Sequence, residues 1–270
     1  MHSIHNACLV AAGLGLIGGA PAMAQSAHDA PGIYLGLFGG GGTAIATSLQ
    51  QRGAVYLNPP QQLPVLPINA QGSTGSGTQV GVGGLQIGYE WRRLNLGDRW
   101  GLRPSVELEG LYIGEHAPTG TMPVRPRALG TQYVHVPTTA GVLLANAVFT
   151  LQTPYSRRIL PYLGLGAGVA RVSIRGSDSA NPSEPGINHF NSGPDADDTA
   201  FALQIKAGVK GQISDHLSLF AEYRYLSIDS TRYVFGATDY PGLHLPTAAW
   251  HVDMGRQQYN LFVAGLQYRF

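Results

Sequence analysis

The sequence predicts an all-β chain that closes into an eight-stranded antiparallel transmembrane up-and-down β-barrel, and three observations carry the prediction. Charged residues are 12% of the 270 residues, about half the usual share of a soluble domain, yet no run beyond the amino end is long and apolar enough for a spanning helix. Eight segments alternate apolar and polar side chains, as strands with one greasy face do. The links between them alternate without a break between long and short, which a soluble sandwich has no cause to do.

The first element is an export signal, residues 1–24. Ala7 to Ala20 is an apolar run too short to span a bilayer, and Pro21 precedes Ala22-Met23-Ala24, an A-x-A cleavage pattern before Gln25. Its leading segment carries His2 and His5 but no Lys or Arg, so positive charge rests on the amino terminus. Cys8 is the only cysteine. Cleavage after Ala24 therefore leaves residues 25–270 without thiol or disulfide chemistry.

The strands follow in order. The first, around Gly32 to Gly41, and the fifth, Ile159 to Val172, are glycine-rich and leave their facing open. The second, Gln79 to Arg92, sets Leu85, Ile87, Tyr89 and Trp91 against Gln86, Glu90 and Arg92. The third, Trp100 to Ile113, sets Leu102, Val106, Leu108 and Tyr112 against Arg103, Ser105, Glu107 and Glu109. The fourth, Thr139 to Leu151, sets Leu143, Ala145, Ala147 and Phe149 against Asn146 and Thr150. The sixth, Thr199 to Gly211, sets Phe201, Leu203, Ile205 and Val209 against Gln204, Lys206 and Lys210. The seventh, Leu217 to Asp229, sets Leu219, Tyr223 and Tyr225 against Ser218, Glu222 and Arg224. The eighth, Asn260 to Phe270, is apolar at every second residue from Phe262, with Gln267 and Arg269 between.

The long links run from about Thr43 to Thr78, Gly114 to Thr138, Ser173 to Asp198 and Ser230 to Gln257; the short ones lie near Arg93 to Arg99, Gln152 to Arg158 and Gln212 to His216. Tight inner turns and long outer loops are what a membrane barrel carries. An eight-stranded interior is just wide enough for side chains to fill. The inward set is Glu90, Arg92, Arg103, Glu107, Glu109, Lys206, Lys210, Glu222, Arg224 and Arg269. Both signs occur, and buried charges persist when paired, so an internal ion-pair network is expected to plug the barrel in preference to lining an open pore.

Several segments resemble small outer-membrane β-barrel proteins of the opacity/OmpA-like type. Tyr34-Leu35-Gly36-Leu37-Phe38-Gly39-Gly40-Gly41 looks like their opening strand, and Pro161 to Val169 resembles their fifth. Ala207 to Gly211 and Leu217 to Leu226 resemble the sixth and seventh. The end at Tyr268 and Phe270 resembles the closing strand that the barrel-assembly machinery reads. The resemblance covers the strands of the mature chain and none of the loops. It implies a protein of the Gram-negative bacterial outer membrane, seated among outer-membrane lipid and lipopolysaccharide. Its expected role is that of a surface antigen, adhesin or envelope-stability factor, with host or environmental surface ligands met through four outer loops. The loops are long and Pro-rich for the family. No peptidoglycan-binding domain follows Phe270, so cell-wall anchoring is not expected. A small porin-like channel is the alternative.

Chemical motifs read as structure. Gly39 to Gly42 is followed by no Gly-Lys-Ser/Thr and opens no helix, so it is no phosphate cradle. Gly164, Gly166 and Gly168 read as room for large interior side chains. His216-Leu217-Ser218 sits at an inner turn, the wrong end for a lipid-modifying enzyme. Asp197-Asp198 with His135, His244 and His251 offers the parts of a rim protease, but adjacent Asp residues before a strand are ordinarily solvated. The loop histidines His116, His135, His189, His244 and His251 show no ligand spacing on one element. No catalytic, cofactor-binding or metal-binding residues are assigned, and a net charge of +1 gives no support for nucleic acid. The first loop, with Asn58-Pro59-Pro60, reads as irregular. Tyr233, Phe235, Tyr240 and Trp250 read as a rim or girdle, and Trp91 and Trp100 as the inner girdle.

Overall fold

Period-two alternation turns one face of each strand outward and the other inward, and in lipid the backbone groups are satisfied only if the sheet closes. The computed structural model, which describes residues 31–58, 63, 65–97, 99–156 and 158–270, has that closed sheet. The expected export segment, with Ala22, Ala24 and Cys8, lies outside the described residues, as do Pro59 and Pro60.

β1 (Gly32–Ala44) crosses the barrel, and the hairpin of β2 (Ser48–Tyr56) and β3 (Val65–Thr74) leads to β4 (Thr78–Glu90). A short flap, β5 (Leu94–Gly97), turns into β6 (Trp100–His116). The hairpin of β7 (Thr119–Arg125) and β8 (Thr131–His135) leads to β9 (Thr138–Gln152), and a tight turn to β10 (Ile159–Ile174). The hairpin of β11 (Asp178–Asn181) and β12 (Glu184–Asn188) leads to β13 (Ala196–Gln212), and another tight turn to β14 (Leu217–Ile228). The hairpin of β15 (Thr231–Phe235) and β16 (Trp250–Met254) precedes β17 (Gln257–Arg269).

β1, β4, β6, β9, β10, β13, β14 and β17 pair antiparallel in that circular order, and β17 returns to β1 from Tyr34 opposite Arg269 to Ala44 opposite Tyr259. Each of the eight expected strands is present. Several run further at the outer end, so that the third reaches His116. The two glycine-rich strands have a clear facing: Tyr34, Gly36 and Phe38 point inward from β1, and Tyr162, Gly164 and Gly166 from β10. Leu35, Leu37, Leu163 and Leu165 point out and are exposed, beside Leu85, Leu108, Ile205 and Phe262. An apolar belt of this kind is stable where lipid covers it. Trp91 and Trp100 stand at the inner end, Trp91 edge-on to Tyr89 with ring centroids 5.5 Å apart.

The long links are not irregular. Their four hairpins pair side by side in the order β12-β11-β8-β7-β3-β2-β16-β15, forming a second antiparallel sheet stacked on the outer end of the barrel. β12 and β15 share no ladder, and the seam between them is held by loop backbone: Gly236 N–H donates to Gly193 O at 2.9 Å, and Ser192 N–H to Ala237 O at 3.4 Å. The outer tier therefore curls into a ring above the membrane ring. Tyr233, Phe235 and Trp250, expected at a rim or girdle, are buried in the tier core because β15 and β16 turn these alternate residues inward. Tyr240 accepts the Asn188 N–H at its hydroxyl, 3.0 Å away. The apolar core runs from Ile113, Leu144, Ile174, Ile228 and Leu261 at the outer end of the barrel into Met122, Val134, Val252 and Met254 of the tier. Burial of each such side chain contributes about 1.5–3 kcal/mol.

Candidate functional site

Polar side chains converge in the barrel interior and in a pocket in the outer tier. In the interior, β6 supplies Glu107 and Glu109, β13 Lys206, and β14 Glu222 and Arg224. Glu109 accepts from Arg224 Nη1 at 2.6 Å, Lys206 Nζ at 3.2 Å, Asn146 Nδ2 at 3.2 Å and Gln204 Nε2 at 3.3 Å. Glu107 pairs with Lys206 and accepts the Tyr34 hydroxyl at 2.7 Å. Glu222 pairs with Arg224 and accepts the Tyr162 hydroxyl at 2.7 Å. Nearer the inner end, Glu90 meets Arg269 Nη1 at 2.7 Å, Arg103 Nη1 at 3.2 Å and Lys210 Nζ at 3.9 Å. The Arg224 guanidinium lies over the Phe38 ring, 3.9 Å from its centroid.

Glycine makes room for these long side chains. A Cβ at Gly164 would stand 2.8 Å from Lys206 Cγ, too close to accept without a shift. Arg92 stands apart from the cluster: β4 ends at Glu90, so Arg92 is past the pleat that aims alternate residues inward and is exposed. At the carboxy end, Tyr268 stacks on His216 and meets Phe270 edge-on, and the Phe270 N–H donates to Ile33 O at 3.1 Å. His216 Nδ1 lies 2.9 Å from Arg269 O, a turn contact. Arg175 Nη2 donates to both carboxylate oxygens of Asp197 at 2.9 Å, and Asp198 accepts the Arg232 N–H at 2.7 Å. Both carboxylates are thereby engaged at the base of the tier.

The outer tier encloses a pocket of about 330 Å³. Its walls are apolar, from Leu66 and Ile68 on β3, Val124 on β7, Trp250 on β16, and Leu243 and Leu245 of the last loop. Leu57, Leu243 and Leu245 are exposed at its mouth. One wall is polar: Glu184 at the start of β12, His189 just after it, and His244. His189 is 3% exposed, with Nδ1 2.6 Å from Ser179 O and Nε2 3.0 Å from Glu184 Oε2. His244 Nε2 lies 3.3 Å from Glu184 Oε1, its Nδ1 faces Leu245 O, and the two imidazole rings stand perpendicular with centroids 5.5 Å apart. The last loop reaches the wall because Tyr56 N–H donates to Pro246 O at 3.0 Å and Ala248 N–H to Ala54 O at 2.9 Å.

Neither His189 nor His244 has a ligand-spaced partner along its own element. They meet only across the seam of the tier, and no spacing along one element announces that.

The model of the outer membrane protein beta-barrel domain family matches residues 11–270. No curated protein matches the chain. Among solved structures it is similar to Neisserial surface protein A, at 15% identity over 88% of this chain and 97% of that one, TM-score 0.39. It is similar to the outer membrane protein OprG from Pseudomonas aeruginosa, at 15% identity over 90% and 97%, TM-score 0.43. It is also similar to the outer membrane protease OmpT from Escherichia coli, at 8% identity over 88% and 97%, TM-score 0.43.

Proposed function

The chain belongs to the outer membrane protein β-barrel domain family, and from that premise we propose that it is a non-enzymatic surface-recognition protein whose outer tier captures a small, largely apolar ligand. The observation that carries the reading is the tier pocket. A cavity of about 330 Å³ with leucine, valine, isoleucine and tryptophan walls and a few converging polar groups has the character of a small-molecule site. Its exposed leucine mouth lies at the end of the molecule away from the lipid-facing belt. The membrane ring serves as a rigid plugged support: Glu109, Lys206 and Arg224 fill its interior and are fully buried, which favours recognition over conduction.

The test uses the full chain in lipid nanodiscs with Trp91→Phe and Trp100→Phe, leaving Trp250 in the pocket wall as the reporter. A dansyl-labelled undecanoic acid is titrated in. Saturable energy transfer from Trp250 that is lost in Leu245→Asp is the expected result. Transfer that rises linearly with partition into lipid, equal in both proteins, would count against the reading.

A further inference from the structure

We infer that Glu184, His189 and His244 form a binding site for a divalent transition-metal ion of the zinc type, which pins the seam of the outer tier. The donor atoms lie within 4.8 Å of one another. Two imidazoles and a carboxylate are a donor set that zinc and its neighbours accept. The spacing is compatible: ligand atoms bound at about 2.0–2.1 Å in a tetrahedron are about 3.3 Å apart, and the Glu184 carboxylate turns Oε2 to His189 Nε2 at 3.0 Å and Oε1 to His244 Nε2 at 3.3 Å, one oxygen toward each ring.

The hydrogen-bond pattern points the same way. Each histidine has its Nδ1 against a backbone carbonyl, Ser179 O for His189 and Leu245 O for His244. A carbonyl only accepts, so each Nδ1 carries a proton, and each ring turns its Nε2 toward the Glu184 carboxylate. A carboxylate only accepts as well, so a metal cation or a proton must lie between it and each Nε2. Carbonyls that fix the tautomer of ligating histidines are the usual outer-shell support of a metal site. Three protein donors leave a fourth position, and Glu184, partly exposed, gives an entry path.

The location supplies a purpose. Glu184 and His189 belong to the β12 side of the tier and His244 to the loop after β15, the two edges that share no ladder. A metal ion there joins the one pair of edges closed only by loop contacts. The inference does not rest on the apolar-ligand reading, and zinc titration is read without any apolar probe.

The test is isothermal titration of ZnCl₂ into the chelator-stripped, tag-free full chain in nanodiscs, beside His244→Ala and Glu184→Gln, each checked for an intact barrel by its heat-dependent gel shift. One zinc per chain is expected, bound at least about tenfold more weakly by either variant. Cobalt(II) should give the visible absorption of a four-coordinate ion in the parent and lose it in His244→Ala. Absence of zinc binding, which leaves added protons to satisfy the pair, overturns the inference. So does binding unchanged in both variants, which assigns the ion to other histidines such as His116, His135 or His251.

Discussion

Arg224 and Glu109 meet inside the barrel with Nη1 2.6 Å from Oε1, and neither side chain has any exposure to solvent. The two residues come from strands on different sides of the ring, β14 and β6, so the contact spans the lumen. It joins a chain of charges that runs through Lys206 and Glu107 to the Tyr34 hydroxyl. A buried charge is tolerable only while its partners remain, which makes the network sensitive to the loss of any one member.

Glu107→Ala removes one of the two carboxylates holding Lys206 and leaves an ammonium short of a partner in a closed interior. The expected cost is about 3–5 kcal/mol, measured as a lowered urea midpoint for the heat-dependent gel shift in liposomes. An unchanged midpoint would mean that the pairs contribute nothing to holding the barrel.

Leu108, the next residue on β6, points the opposite way and is 52% exposed. Leu108→Arg should cost about 2–4 kcal/mol near the bilayer midplane, falling toward zero if the position lies at an interface. The neighbouring pair 107 and 108 thus tests facing directly, since both substitutions are costly only if one side chain looks inward and the other into lipid.

Conductance follows from the same interior. The plugged lumen predicts no resolved single-channel steps in planar bilayers at moderate voltage. Steady steps whose ion selectivity changes with Lys206→Ala would indicate an open pore lined by these residues.

Tyr233 gives the outer tier a pH limit. Burial in the tier core pushes its phenol up to about 12, above the ordinary value of about 10. Below that ordinary value the phenol is neutral in both folded and unfolded chains, and its contribution is fully present. Between about 10 and 12 the unfolded chain loses the proton first, so stability falls as pH rises. Tyr233→Phe removes this ionisation, and near-ultraviolet circular dichroism should show its tier surviving to higher pH than that of the parent.

The membrane ring was legible because lipid enforces alternation over long strands: Leu85, Ile87 and Tyr89 against Gln86 and Glu90 admit one register. Facing stayed open where glycine removed the contrast, as in β1 and β10. Arg92 was assigned inward by continuing that alternation past Glu90, where the strand ends. The outer tier was not legible. β8, β15 and β16 have five residues each, too few for a period to emerge, and Pro67 in β3 and Pro123 in β7 withhold a ladder N–H. Tyr233-Val234-Phe235 is apolar on both faces. The Glu184, His189 and His244 wall depends on the tier closing, so it was hidden for the same reason.

Amide hydrogen exchange of the full chain in nanodiscs, read by mass spectrometry, tests most directly whether the outer loops are a folded second ring. Slow exchange should extend from the membrane strands through 48–56, 65–74, 119–125 and 250–254, with fast exchange confined to the tips between them. Exchange at the rate of unstructured peptide throughout these hairpins, above a protected barrel, would contradict the outer tier and the pocket it encloses.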